Sequence, residues 1–159
     1  MNKLQELRKI LIEKRLTVSV AESCTGGMLA QHLTQYPGSS SYFDRGFITY
    51  TNQSKIDELG VNSSVIDEFG AVSLEVASEM VKGVNKKSKT SISIAITGIA
   101  GPGGATIGKP VGTVCFGFIV NGELFAEKKL FPGDRDLIIQ SSVNFAIECI
   151  FIKLRFNVP

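Results

Sequence analysis

Three adjacent residues of the stretch 21-AESCTGG-27 carry side chains that can attack a carbonyl carbon or cap a helix. Ser23, Cys24 and Thr25 follow a short β-branched run and precede a segment with helical periodicity. A nucleophile at such a turn is well placed for acyl transfer, because backbone N–H groups of the turn can stabilise an oxyanion. The same residue types are also common helix caps, so both roles stay open at this point.

A serine nucleophile needs a base, since its hydroxyl is unreactive at neutral pH. The single histidine, His32, lies inside the helix that follows Ser23, and we predict that it is structural. The remaining candidate is a lysine whose charge is suppressed by burial or by a neighbouring cation. Lys55 fits, because it lies on a short predicted helix just after Tyr50. The spacing equally allows that Ser23 or Thr25 caps a helix and that Lys55 is solvated.

Two neighbours of Ser23 also have alternative roles. Cys24 could be the nucleophile, because a thiolate at a helix N-terminus has a lowered pKa. No histidine is placed to assist it, and a small buried thiol is the favoured interpretation. Glu22 is either a carboxylate that orients the catalytic group or a partner of the helix dipole, and the sequence does not decide between these roles.

The glycine-rich segment 98-GIAGPGGATIGKPVG-112 raises the question of phosphate binding. Residues 103–109 match GxxxxGK, which is most of a nucleotide-triphosphate-binding motif. The next residue is Pro110 instead of Ser or Thr, and a strand follows instead of a helix, so the magnesium ligand and the helix N-terminus are both missing. A nucleotide triphosphatase is therefore disfavoured. A loop whose backbone N–H groups approach a monophosphate or a carbonyl stays open.

The composition indicates a soluble globular protein. The 159 residues are 43% hydrophobic and 20% charged, with a net charge of +2, which predicts one domain and no strong attraction to nucleic acid. The densest basic run, 86-KKSK-89, is interpreted as a solvated helix end. No run approaches ~18 apolar residues, so no transmembrane helix is expected, and the N-terminal stretch lacks the apolar centre of a signal peptide.

Three scattered cysteines, Cys24, Cys115 and Cys149, show neither metal-ligand nor disulfide spacing. This pattern favours a reducing compartment, and we expect a cytoplasmic protein. One histidine and scattered cysteines give no convincing metal cluster, so no metal is expected.

Hydrophobic periodicity predicts an α/β domain. The predicted helices cover 2–15, 28–35, 52–59, 62–70, 73–87 and about 134–154, and the predicted strands cover 17–21, 46–51, 91–97, 111–120 and 123–131.

This order is typical of a three-layer α/β/α sandwich with a mixed sheet, built as a single domain over residues 1–159. Asn121-Gly122 is a strong hairpin signal between the last two strands, and Asn52 is the expected N-cap of the third helix. Catalytic groups in such folds collect in loops after strand ends. Three such loops are rich in small polar residues, after Val20, around Tyr50 and after Thr97.

Six motifs in one order resemble the CinA C-terminal domain family. They are AESCTGG, GSSSYFDRGFITYTNQSK, LGV, GAVS, TGIAGPGG…KPVGTV and FPGDRD, and the similarity runs from about Val18 to Asp136. The resemblance is greatest to stand-alone bacterial nicotinamide-nucleotide amidases. It implies hydrolysis of the carboxamide of nicotinamide mononucleotide (NMN) to nicotinate mononucleotide and ammonia, a pyridine-nucleotide salvage reaction that needs no metal or cofactor.

The resemblance also implies roles for individual residues. Ser23 matches the serine nucleophile and Lys55 the lysine base, with Tyr50 as a hydrogen-bonding partner. The residues expected to bind substrate are Thr25, Gly26, Thr97, Gly98 and Gly101 around the reaction centre, with Arg45 and Arg135 as contacts to phosphate or carboxylate.

Two other functions stay open. One is a non-catalytic nucleotide-binding module that uses the same pocket, and the other is an accessory protein of competence or DNA-damage repair. The modest charge and the lack of a basic stripe interleaved with aromatic residues argue against direct contact with nucleic acid. The resemblance implies a small nucleotide as the partner and suggests a homodimer, and no membrane contact is expected.

Overall fold

Six α-helices, five strands and one short 3-10 turn make up the computed structural model, within the residues it describes, 2–156. In chain order the elements are α1 (Lys3–Glu13), β1 (Val18–Glu22), α2 (Met28–Thr34), the 3-10 turn (Ser39–Ser41), β2 (Phe43–Ile48), α3 (Asn52–Leu59), α4 (Ser63–Phe69), α5 (Leu74–Ser88), β3 (Ile92–Gly98), β4 (Thr113–Val120), β5 (Glu123–Leu130) and α6 (Arg135–Phe156). The predicted order of elements is confirmed.

The sheet is mixed, with strand order β2-β1-β3-β4-β5. β1 pairs in parallel with both β2 and β3, whereas β4 and β5 are antiparallel to their neighbours. Asn121 and Gly122, both with positive φ, form the tight turn between β4 and β5. Because β1, β2 and β3 are parallel, their carboxyl ends lie along one edge of the sheet, where ligand sites of α/β folds are found.

Helices cover both faces of the sheet, which confirms the predicted three-layer α/β/α arrangement. Alternate strand side chains point to opposite faces, so Val20 and Ile94 pack toward α1, α2 and α6, whereas Ala21 and Ala95 pack toward α3, α4 and α5. Each face therefore has its own hydrophobic cluster, with the sheet between them.

Helix α6 is long and apolar. At 22 residues, with a mean hydropathy of 1.6 over an 18-residue window, it is long and apolar enough to cross a membrane by length and composition alone. It instead packs along α1 and the sheet, and seven of its residues are buried in the larger hydrophobic cluster. Core packing therefore accounts for its composition.

The second strand and the start of α3 differ from the prediction. β2 spans Phe43–Ile48 rather than 46–51, and Thr51 rather than Asn52 is the N-cap of α3. The Thr51 side chain accepts from the backbone N–H of Ser54, and the Ser54 hydroxyl bonds back to Thr51, completing a capping box. β2 therefore ends at Ile48, and residues 49–51 connect it to α3. Other predicted ends shift only slightly.

Candidate active site

Two consecutive side chains at the end of β1 point to opposite faces of the sheet. Glu22 is directed toward α2, and Ser23, one residue later, is directed toward α3. Backbone hydrogen bonds fix this end of the strand on both sides, because Ser23 N–H donates to Ile96 O at 3.0 Å and Thr49 N–H donates to Glu22 O at 2.9 Å. The position of Ser23 is therefore set by the central strands.

Ser23 and Lys55 lie side by side although 32 positions separate them in the chain. Lys55 Nζ is 3.1 Å from Ser23 Oγ, 3.1 Å from Thr49 O and 3.4 Å from Tyr50 O. The capping box of α3 places Lys55 in the first turn of the helix, from which its side chain reaches back to the end of β1. Parallel pairing of β1 and β2 thus brings the two residues together.

The environment of Lys55 favours an uncharged amine. Its side chain is 1% exposed, and desolvation lowers the pKa of Lys55 below its ordinary value. Within residues 2–156 Lys55 forms no ion pair that would stabilise an ammonium. A neutral amine has two N–H donors and one lone pair. If the carbonyls of Thr49 and Tyr50 accept those two N–H groups, the lone pair faces the hydroxyl of Ser23.

Glu22 caps the N-terminus of α2. Its buried carboxylate accepts from Leu29 N–H at 2.8 Å, from Ala30 N–H at 3.0 Å and from the Thr25 hydroxyl at 2.7 Å. Gly27, the N-cap residue, has no side chain to do this. Of the two roles left open by the sequence, the structure therefore shows the helix-dipole partner, and the carboxylate does not contact Ser23 or Lys55 by hydrogen bonds.

Cys24 is a buried thiol next to Ser23. Its side chain is 7% exposed, and desolvation raises the pKa of Cys24 to about 12, so it is protonated at neutral pH. A nucleophilic cysteine requires the opposite shift. Cys24 therefore forms part of the pocket wall without the properties of a nucleophile.

A cavity of about 290 Å³ opens in front of Ser23. Its wall comes from the ends of β1, β2 and β3, the segment between α4 and α5, the glycine-rich loop and the first residue of α6. The lining residues are Ser23, Cys24, Tyr50, Val72, Gly98, Ile99, Ala100, Gly101, Gly103, Gly104 and Arg135.

Two glycines in this wall are required by close packing. A Cβ at Gly98 would lie 2.8 Å from Val114 Cγ2 and 3.1 Å from Cys24 Sγ. Gly101 has φ +80°, and a Cβ there would lie 2.5 Å from Val111 Cγ1. The loop after β3 can therefore pass close to Ser23 only with glycine at both positions.

Arg135 supplies positive charge at the mouth of the cavity. Its guanidinium donates to Gly101 O at 2.8 Å and to the Tyr50 hydroxyl at 2.8 Å. Tyr50 itself is 53% exposed. Arg135 thus connects the loop after β2 with the loop after β3, and its exposed side faces the solvent at the entrance.

The structure places the predicted site residues in two groups. Ser23, Tyr50, Gly98, Gly101 and Arg135 line the cavity, and Lys55 lies directly behind Ser23. The remaining four predicted residues are absent from the lining of the cavity: Thr25, Gly26, Arg45 and Thr97.

These four residues have other surroundings. Thr25 is buried against Glu22, and Gly26 is exposed in the turn with φ +57°. Arg45 lies in the edge strand β2 and pairs with Asp44. Thr97 is buried and donates to Ala71 O at 2.9 Å. None of the four is among the lining residues, and their contact with a ligand stays a prediction.

Sequence reasoning did not select Val72, Ile99, Ala100, Gly103 or Gly104 as cavity residues. The signal for Val72 was the GAVS motif, and the other four lie in the glycine-rich segment. Apolar and small residues carry no chemical signature of their own, which explains the omission.

His32 lies outside this site. Its Nδ1 is 2.8 Å from Met28 O, one turn back in α2, in agreement with the structural role predicted for it. Among residues 2–156, no three or more His, Cys, Asp and Glu side chains are grouped so that they could hold a metal ion.

Comparisons with known proteins identify the family. Residues 2–154 match the CinA C-terminal domain family. A competence-damage inducible protein of Clostridium beijerinckii is 51% identical over 130 residues, which cover 82% of this chain and 32% of that protein. A similarly named protein of Clostridium acetobutylicum is 46% identical over 144 residues, covering 91% and 35%. The chain thus spans about a third of the length of these relatives.

Solved structures are similar over nearly the whole chain. A CinA superfamily protein of Klebsiella pneumoniae has a TM-score of 0.92 at 31% identity, covering 97% of this chain and 98% of the other. The competence/damage inducible protein CihA of Agrobacterium tumefaciens has a TM-score of 0.89 at 41% identity, covering 97% and 96%. Together with the family match over residues 2–154, these similarities show that the chain belongs to the CinA C-terminal domain family.

Proposed function

We propose that the protein is an amide hydrolase that converts NMN to nicotinate mononucleotide and ammonia, with Ser23 as nucleophile and Lys55 as general base. The observation that carries this proposal is the 3.1 Å contact between Ser23 Oγ and the buried amine of Lys55 at the base of a cavity. A serine with a neutral amine beside it has the base that acyl transfer requires.

The first step is attack of Ser23 on the carboxamide carbon. Lys55 takes the hydroxyl proton through its lone pair while Thr49 O and Tyr50 O hold its two N–H groups. The C–O bond forms as the carbonyl π bond breaks, and the carbonyl oxygen becomes an oxyanion. This step needs no metal and no cofactor.

Backbone N–H groups near Ser23 are available to stabilise the oxyanion. Cys24 in the turn after β1, and Ala100 and Gly101 in the loop after β3, all line the cavity. Their N–H groups donate to no protein acceptor among residues 2–156. One such donor typically contributes ~10²–10³ in rate.

Collapse of the tetrahedral intermediate breaks the carbon–nitrogen bond. The protonated Lys55 gives its proton to the leaving nitrogen, so ammonia departs and Lys55 is neutral again. Water then attacks the Ser23 ester with Lys55 as base, which releases the carboxylate and restores the hydroxyl. Each proton that Lys55 takes is returned within the same half-reaction.

The remaining cavity residues suit a nucleotide with a flat ring. Arg135 can turn from its contacts with Tyr50 and Gly101 toward a phosphate at the entrance, because a guanidinium binds phosphate in a bidentate manner. Tyr50 presents a half-exposed aromatic side chain beside it. The three cysteines within the described part of the chain are free, which suits the reducing cytoplasm in which we place this reaction.

The test is ammonia release from NMN by the purified protein, measured with Lys55→Arg as a matched variant. Arginine has a similar length but stays protonated, so it cannot act as the base. We expect turnover by the wild type and a loss of at least ~10²-fold in Lys55→Arg. Binding of NMN without ammonia release would make the protein a nucleotide-binding module instead, and full activity of Lys55→Arg would remove lysine from the mechanism.

A further inference from the structure

Side chains hold the end of α4 and the short segment that follows it. Three consecutive carbonyl groups, those of residues 69, 70 and 71, each accept from a different side chain. Lys109 Nζ donates to Phe69 O at 2.5 Å, the Ser73 hydroxyl to Gly70 O at 2.8 Å, and the Thr97 hydroxyl to Ala71 O at 2.9 Å. Three separate parts of the fold thus fix residues 69–71.

The residue that follows these carbonyls is Val72, which lines the cavity in front of Ser23. It is the only lining residue from the region between α3 and α5 within the described chain, 2–156. Fixing the backbone on its amino side helps to fix the direction of its Cα–Cβ bond, and the β-branched valine side chain has few χ1 rotamers from there. The hydrogen bonds to residues 69–71 therefore position one apolar wall of the cavity.

Thr97 acts on this wall indirectly. Thr97 is 1% exposed, its hydroxyl is used in the bond to Ala71 O, and it is not part of the cavity lining. Lys109 adds a second link, from the glycine-rich loop that also supplies Gly103 and Gly104 to the cavity. Gly70 favours this link, since it has φ +78° and a Cβ there would lie 2.9 Å from Lys109 Nζ, which would then have to shift.

We propose that Val72 determines specificity by contacting the ring that carries the carboxamide, and that Thr97 is a positioning residue that holds Val72 through Ala71. This inference rests on the proposed function for the identity of the ligand. A branched apolar side chain offers no hydrogen bond, so it selects by shape and by contact with an apolar ring face.

Calorimetric binding of two probes tests this inference without reference to turnover. Nicotinate mononucleotide carries the ring, and ribose 5-phosphate lacks it. Val72→Ala should weaken binding of nicotinate mononucleotide about tenfold, the lower end of the effect of a methylene-sized change in an apolar pocket. The same variant should change the affinity for ribose 5-phosphate by less than about twofold, since phosphate contacts are unchanged. Leu74→Ala, an exposed apolar truncation two positions along, is the matched control and should leave both unchanged.

Variants of Thr97 test the positioning role. Thr97→Val removes the hydroxyl at nearly constant volume and should weaken binding of nicotinate mononucleotide, whereas Thr97→Ser keeps the hydroxyl and should restore it. The double variant Val72→Ala, Thr97→Val should bind no more weakly than Val72→Ala alone, because Thr97 acts through Val72. Hydrogen exchange of the backbone over residues 69–73 should be faster in Thr97→Val than in Thr97→Ser.

The possible failures are distinct. Equal weakening of both probes by Val72→Ala, or no weakening, would overturn the specificity role. Additive effects in the double variant, or equal loss in Thr97→Ser and Thr97→Val, would overturn the positioning role. Tight binding of nicotinate mononucleotide without ammonia release from NMN would reject the proposed hydrolysis while leaving this inference intact, and wild-type protein that binds neither probe would reject both.

Discussion

Replacing Lys55 with methionine should change how the stability of the protein depends on pH. Lys55 is 1% exposed, and burial lowers its pKa from the ordinary value of 10.5. Between that lowered pKa and 10.5, the folded chain holds an uncharged amine whereas the unfolded chain holds an ammonium. The unfolded state then binds one more proton, so the free energy of unfolding rises with pH across this window.

The magnitude follows from a single proton. The slope of the free energy of unfolding is at most about 1.4 kcal/mol per pH unit for one group. Methionine has a similar length and does not titrate. The difference in unfolding free energy, wild type minus Lys55→Met, should therefore increase with pH inside the window. It should be constant below the lowered pKa, where the lysine is charged in both states.

Urea unfolding at a series of pH values from about 6 to 10 measures this difference by linear extrapolation. Lys86→Met serves as the control, because Lys86 is exposed on α5, and its curve should run parallel to that of the wild type. If the curve of Lys55→Met is also parallel to the wild type throughout, the folded protein holds a charged Lys55. The amine could then not accept a proton from Ser23.

Four further expectations concern the same region. The kcat/KM for amide hydrolysis should rise with pH through the lowered pKa of Lys55, with its midpoint below 10.5, and a rate that falls with pH would contradict a neutral base. Glu22→Ala should lower the free energy of unfolding by about 3 kcal/mol, because three donors lose their acceptor: Leu29 N–H, Ala30 N–H and the Thr25 hydroxyl. A loss below about 1 kcal/mol in urea unfolding would contradict the capping role of Glu22. Cys24, with its pKa raised to about 12, should react with iodoacetamide far more slowly at pH 8 in the native protein than after unfolding, as measured by peptide mass; equal rates would contradict its burial. At Gly83, in α5, an added Cβ would lie 2.0 Å from Leu59 O. Gly83→Ala should therefore lower the free energy of unfolding by about 2 kcal/mol in urea unfolding. An increase would show that α5 and α3 pack less closely.

The fold could be predicted from the sequence because its elements follow simple periodic patterns. The strands β3 and β4 are almost entirely buried and rich in apolar residues, and Asn121-Gly122 gives the tight turn before β5. The end of β2 could not be located in this way. Its residues are mostly exposed at the sheet edge, so the pattern is weak, and the capping box at Thr51 competes for the residues that follow.

The site was harder to predict because it depends on long-range pairing. The residue types of Ser23 and Lys55 suggested their chemistry, but their contact follows from the parallel register of β1 and β2. The alternation of side chains along β1 also decides the role of Glu22, which sequence left open. The motif predicted that Thr97 binds substrate. In the fold its hydroxyl donates a hydrogen bond to Ala71 O, and a motif does not reveal such a partner.

Ammonia release from NMN by Ser23→Ala, compared with Cys24→Ala, tests the central claim most directly. The two residues are adjacent, and both line the cavity, but only Ser23 contacts the amine of Lys55. We expect Cys24→Ala to keep turnover within about tenfold of the wild type and Ser23→Ala to lose it, with both variants folded by circular dichroism. Retained turnover in Ser23→Ala, or loss in Cys24→Ala alone, would contradict a serine nucleophile.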